Sequence, residues 1–359
     1  MKILILTGGF GMGHDSAAQA VKEMILSSEP SANIEIIDII DYIFPKSSKL
    51  IYGCFNFMVS KFSGIYNFFN KFTARRTSMP LKKSVVRKID LLLKKYDTDM
   101  VISTFPACSQ YISAYKKSKN CDIPLYTYIT DICANEEWIS EKTDMYFVGS
   151  ENTKNLLLSK GVKEGKIVIS GIPTKQKFRE EKLVNIEEDK KEVLIMGGGL
   201  GLVPYYDNLL SKLSNMNDIN VTFITGKNKK LLDKIKKEYP KIKALGYTDK
   251  VDDYMKKSDL VITKPGGITL FEAIHTNTPL YIIRPFLYQE IENARFIQEQ
   301  NIGKVVWTKG TDICEDVTSL LKNEILLDYM KKNMKDISCK LETLSPLVYY
   351  NKKEVGLCF

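Results

Sequence analysis

Residues suited to binding phosphate and sugar are concentrated in one stretch of this chain, Thr263 to Ala294. Its apolar lead-in, Leu260-Val261-Ile262, reads as a buried strand, and after Gly266-Gly267 the pattern turns helical through Ile274. A strand feeding a glycine pair and then a helix start makes an anion site. Glycine lets the backbone come close, and the unpaired N–H groups of the first turn face the ligand. Gly266, Gly267, Ile268 and Thr269 are expected to line that site, and Glu272 is placed to accept from a ribose hydroxyl. A second strand, Leu280 to Ile283, breaks at Pro285 and leads into a helix opening with Gln289, Glu290 and Asn293, which would fan polar side chains toward a sugar. Gly-Gly alone serves any tight strand–helix turn. The combination of glycines, acids and amides points to a ligand.

Two further loops repeat the strand–glycine–helix plan. The continuously apolar run Lys2–Thr7 enters Gly8-Gly9-Phe10-Gly11-Met12-Gly13-His14 and then a helix to about Ser27. Val193–Met196 enters Gly197-Gly198-Gly199-Leu200-Gly201, a phosphate-facing loop by the same physics. The first loop does not fit G-x-G-x-x-G cleanly, and Asp38 downstream is unspecific as a ribose partner. The chain has two histidines. His14 stands at a loop-to-helix junction, and His275 lies inside the helix after the glycine pair, where a packed or solvated side chain is expected.

Lys264-Pro265-Gly266-Gly267, Glu272 five residues on, and the run Gln289-Glu290-Ile291-Glu292-Asn293-Ala294 resemble the donor site of family 28 glycosyltransferases. The nearest group is that of the diacylglycerol glucosyltransferases and monogalactosyldiacylglycerol synthases. The resemblance implies that Gly266 and Gly267 hold the diphosphate of a UDP-sugar, that Glu272 holds its ribose, and that Gln289, Glu290 and Asn293 read the sugar. Gly13, Gly198, Gly199, Gly201 and Tyr247 would complete the donor site. Thr130-Asp131, with Trp138 downstream, matches the same group on the acceptor side, but Asn135 stands where a His is usual. An inverting transfer needs a base for the acceptor hydroxyl. The candidates are His14 and Asp131, the latter as base or as the group that orients His14. Backbone N–H groups and helix dipoles would meet the charge on departing UDP. No D-x-D pair stands where a metal motif would be expected, so no cation and no other cofactor is expected.

The elements that must carry these residues alternate strand, loop and helix along both halves. The expected fold class is α/β, the GT-B arrangement of two doubly wound Rossmann-like domains facing a cleft. The expected domains are 1–180 for acceptor and membrane, 181–340 for the UDP-sugar, and 341–359 as a last helix free to return to the first domain. The charged stretch 180–191 reads as the linker.

Composition narrows the partners. The net charge of +9 is local, because the window between Tyr42 and Ile89 has no acid and ten Lys or Arg. Within it Phe55, Met58, Phe62, Ile65, Tyr66 and Phe69 share one helical face, with Lys61, Lys71, Arg75 and Arg76 off it or just beyond. An apolar aromatic stripe among cations and no acids reads as a membrane-surface element. Nucleic acid would want the charge without so continuous an apolar face. No apolar run approaches the roughly 18 residues of a spanning helix. Ile3–Leu6 is too short for a signal peptide, and seven cysteines without a C-x-x-C pair argue against disulfides and zinc. A cytoplasmic enzyme, peripheral on the inner face of the cell membrane, is expected.

The expected function is transfer of glucose or galactose from UDP-glucose or UDP-galactose to diacylglycerol at an anionic membrane surface. Three alternatives stand beside it. One is an N-acetylglucosamine transferase acting on a polyprenyl-linked peptidoglycan precursor. The others are a UDP-sugar epimerase and a non-catalytic nucleotide-sugar sensor.

Overall fold

The computed structural model describes residues 1–61, 82–133, 135–180, 190–199, 201, 206–308 and 310–354, with the side chains of 55–61, 82, 206 and 351–354 outside that description. The chain forms two compact units, Met1–Gln176 with Leu341–Phe359, and Lys177–Lys340. Residues 181–189, most of the expected linker, lie outside the described residues.

In the first unit six strands, β1 (Lys2–Thr7), β2 (Asn33–Asp38), β3 (Met100–Ser103), β4 (Leu125–Tyr128), β5 (Met145–Val148) and β6 (Ile167–Ile169), pair in parallel in the order β2-β1-β3-β4-β5-β6. Alternation along β1 divides the core. Leu4 and Leu6 pack with Val85, Ile89 and Ile112 on one face. Ile3 and Ile5 pack with Val21, Ile25 and Tyr128 on the other. Burial on both faces is why β1 reads as an unbroken apolar run. The final helix, Leu347–Glu354, belongs to this unit: Leu347 joins the second face and the Tyr349 ring lies 5.6 Å from that of Phe147.

The second unit repeats the plan with β7 (Lys191–Met196), β8 (Ile219–Ile224), β9 (Lys243–Leu245), β10 (Leu260–Thr263), β11 (Leu280–Ile283) and β12 (Gly303–Val306), all parallel, in the order β12-β11-β10-β7-β8-β9. Both units are doubly wound Rossmann-like domains. In such sheets ligands bind beyond the carboxyl ends of the strands where the order reverses. That switch point falls between β1 and β3 in one unit and between β7 and β10 in the other. Leu6 pairs with Ser103 and Thr263 with Met196, so at each switch the two strands end level and their loops leave side by side. After β12, helices Ile313–Lys322 and Glu324–Cys339 meet at Asn323, whose side chain caps the second.

Candidate functional site

At the first switch point, β1 runs into the Gly8–Met12 loop and the helix Gly13–Ser28, whose N-terminus has no side-chain cap. Gly11 takes a φ of +84°, open to glycine at little cost. His14, second in that helix, reaches the exit of β3: its Nδ1 lies 2.9 Å from the Thr104 carbonyl and 3.1 Å from Thr130 Oγ1. A carbonyl only accepts, which assigns the ring proton to Nδ1 and leaves Nε2 as the basic nitrogen. The Phe105 ring packs edge-on against it at 5.1 Å and the Trp138 ring lies 6.2 Å away. The imidazole is surrounded by protein without being sealed from solvent. Burial lowers its pKa to about 4, with the Thr104 hydrogen bond opposing the shift. His14 is therefore neutral at pH 7.

A second group on this side escaped the sequence reading. Tyr52, from the helix Ser48–Lys61, donates to Asp38 at 2.6 Å and accepts from the Gly9 N–H at 3.0 Å. Asp38 also caps the helix Ile39–Ile43 through the N–H groups of Ile40 and Asp41. Burial first, and then the Asp38 hydrogen bond, push the Tyr52 phenol upward. Phe10 packs between Tyr52 (4.9 Å) and Phe105 (5.0 Å). Phe10, Tyr52, the pair Thr104-Phe105, and Thr130 come from four separate places in the chain, and no spacing rule links them.

Around Thr130 the picture is mixed. Asp131 and Asn135 are partly buried. Burial raises the Glu137 carboxyl, opposed by a hydrogen bond from Asn135. Trp138, expected on the acceptor side, is a core residue instead. It is 2% exposed, among Ile129, Tyr146, Val148 and Leu157. An indole gains more from that pocket than from solvent.

At the second switch point the loops after β7 and β8 press together. Gly201 has a φ of +64°, and a Cβ there would lie 2.2 Å from the Thr225 carbonyl oxygen. Only glycine fits. After β10, Gly266 is the uncapped N-cap of the helix Gly267–Thr276, which begins with buried Gly267 and Ile268 and partly buried Thr269, with Glu272 one turn on and partly buried. Gly198 and Gly199, partly buried, lie at the end of β7, beside β10, so amide-rich turns leave both switch strands. Such an arrangement can take a phosphate.

The residues expected to fan toward a sugar divide. Gln289 is partly exposed, whereas Glu290 is 5% exposed and Asn293 is fully buried. Asn293 donates to the Pro265 carbonyl at 2.9 Å, and Glu290 caps its own helix through the Phe286 and Leu287 N–H groups at 3.5 and 3.4 Å. Helix Tyr288–Glu299 is rotated so that these two face the loop after β10, where a buried amide or carboxylate must find partners. Asn293 braces that loop, and Glu290 braces the turn that opens its own helix. Lys264 ends 3.7 Å from Glu290, a cation beside the glycines that the sequence reading left without a role. Tyr247 is 61% exposed beyond β9. His275 is partly buried, with Nδ1 3.2 Å from Ser338 Oγ, and burial brings its pKa to about 3.

Phe62, Phe69, Lys71, Arg75 and Arg76 lie outside the described residues, as do the side chains of Phe55 and Lys61. Among the described residues no helix is long and apolar enough to cross a membrane, and no His, Cys, Asp and Glu gather as a metal site.

Comparison with known proteins adds to the geometry. The family model for monogalactosyldiacylglycerol (MGDG) synthase matches residues 14–174, and that for the glycosyltransferase family 28 C-terminal domain matches 192–342. The processive diacylglycerol beta-glucosyltransferase of Bacillus licheniformis is 33% identical over 93% of this chain and 90% of its own. Among solved structures, S. aureus MnaA with UDP superposes with a TM-score of 0.65 at 16% identity, covering 99% of this chain and 97% of that one. Acinetobacter baumannii MurG gives 0.61 at 13%, covering 99% of each. At those identities the two structures speak for the fold alone.

Proposed function

Because this chain belongs to glycosyltransferase family 28, in the group of the monogalactosyldiacylglycerol synthases and diacylglycerol glucosyltransferases, we propose that it moves glucose from UDP-glucose to the free hydroxyl of diacylglycerol, with inversion. The observation that carries this reading is the 33% identity to a diacylglycerol glucosyltransferase over nine-tenths of that enzyme, across both units.

In this reading the acceptor oxygen attacks the anomeric carbon on the face opposite UDP. The bond from that carbon to the β-phosphate oxygen breaks, its electron pair leaves with UDP, and the hydroxyl proton passes to a base. Neutral His14, with Nδ1–H held by Thr104, offers Nε2 for that proton. Asp131 is the other candidate. The second unit holds the donor: the amides around Gly198 and Gly266–Gly267 face the diphosphate, and Glu272 accepts from the ribose. Charge on UDP is met by these dipoles, so turnover is expected to survive EDTA.

The acid-free segment between Tyr42 and Ile89 would hold the enzyme on an anionic, inner-leaflet surface, each Lys or Arg there adding about 1 kcal/mol that salt weakens. Replacing Lys61, Lys71, Arg75 and Arg76 by Glu should release the protein from anionic vesicles. Equal pelleting of variant and parent would refute the membrane role.

The deciding assay incubates the protein with labelled UDP-glucose, or UDP-galactose, and diacylglycerol vesicles. Labelled glycolipid from UDP-glucose supports the proposal. Preference for UDP-galactose changes the sugar, free epimerised nucleotide sugar would make the protein an epimerase, and binding without turnover a sensor.

A further inference from the structure

Lys264 and Glu290 have a relation that a sugar-reading role for Glu290 does not explain. Glu290 is 5% exposed, and its carboxylate meets two backbone N–H groups at 3.4 and 3.5 Å, long for charged hydrogen bonds. A carboxylate so far from water needs a cation nearby. Lys264 Nζ stands 3.7 Å from Oε1, an ion pair but beyond hydrogen-bond reach, with 37% of the Lys264 side chain still exposed. Among the described residues the ammonium is thus held by charge rather than by a hydrogen bond.

The lysine stem passes over the loop after β7. A Cβ at Gly198 would come 3.2 Å from Lys264 Cε, so glycine there gives the stem its path. Lys264 therefore leaves the end of β10, crosses the amides after β7, and places its charge at the switch point between those strands.

We propose that Lys264 is the counter-charge for the donor's diphosphate, and that Glu290 is a positioning residue that holds the ammonium there between turnovers. The assignment rests on the UDP-sugar reading of the second unit. Without Lys264 between them, the Glu290 carboxylate would repel the diphosphate. With it, the lysine turns its N–H donors to the phosphate oxygens and offsets the negative charge that grows on UDP as the bond to the sugar breaks.

The test is calorimetric binding of UDP, UMP and uridine to the full chain. Lys264→Met should weaken UDP by about 10- to 100-fold, the equivalent of one charged hydrogen bond, weaken UMP less, and leave uridine unchanged. Lys264→Arg should recover most of the loss. Adding Glu290→Gln to Lys264→Met should recover part of it, because the repulsion goes. Equal loss for uridine and UDP would mean a collapsed loop, and unchanged UDP affinity would remove Lys264 from the diphosphate; either overturns the assignment. Failure of the parent protein to bind UDP would instead overturn the donor reading itself, and this assignment with it.

Discussion

The two switch points occupy the same place in two similar sheets and are built of different material. Between β1 and β3 the chemistry is carried by side chains: a neutral imidazole pinned by Thr104, an aromatic packing of Phe10, Tyr52 and Phe105, and a phenol tied to Asp38 and Gly9. Between β7 and β10 it is carried mainly by backbone: glycines at positive φ, packed loops, and an uncapped helix start, with one lysine across them. Backbone N–H groups suit a ligand of fixed charge such as a diphosphate, since they cannot titrate away. A proton transfer needs a group that can change its charge. One topology can thus support two roles through what its loops contain.

The largest expected effect tests the side-chain half. His14→Ala should cut turnover by about 10²–10⁴-fold while UDP affinity holds. If turnover survives there and is abolished by Asp131→Asn, the base is Asp131. The same residue carries a pH signature. Its folded pKa of about 4 lies below the ordinary 6.5, so above pH 6.5 it is neutral in both folded and unfolded chains. As pH falls from 6.5 toward 4 the unfolded chain takes the proton first, and stability declines. The acid limb of kcat/KM should accordingly fall near pH 4, and His14→Gln should flatten the stability profile over that range. An acid limb at pH 6.5 would contradict the buried, carbonyl-bound imidazole.

The backbone half should break differently. Gly201→Ala forces a side chain against the Thr225 carbonyl at positive φ, which should cost about 2–4 kcal/mol of stability in thermal melts and abolish UDP binding. A variant that melts and binds like the parent would show that the loop relaxes freely, and the contrast between the halves would lose its ground. Glu272→Ala, a side chain within the backbone-built site, should weaken UDP by about 1.5–3 kcal/mol in calorimetry. The smallest effect belongs to Tyr52→Phe, which frees Gly9 N–H and one Asp38 hydrogen bond. About 1 kcal/mol is expected, read as a few-fold loss of kcat with UDP affinity unchanged. A change in UDP affinity instead would assign the phenol to the donor.

Much of the architecture was legible along the chain. Continuous apolar runs marked β1 and β11 with their boundaries, and each glycine loop announced a strand–helix junction, because burial on both faces and tight turns leave local signatures. His14 and the Gly266–Gly267 turn stood out for the same reason. The sequence could not reveal which way helices face and what meets across the sheet. His14 and Thr104 are 90 residues apart, and Asn293 and Pro265 are 28 apart. Helix periodicity places Gln289, Glu290 and Asn293 near one another but leaves open the rotation that turns the last two inward. Trp138 reads as an acceptor-side residue, and only packing reveals that Tyr146, Val148 and Leu157 close around it. Local pattern determines which elements form, since their hydrogen bonds and apolar period are local. Packing alone decides which side chains remain free for a ligand, since every buried polar group must first satisfy its neighbours.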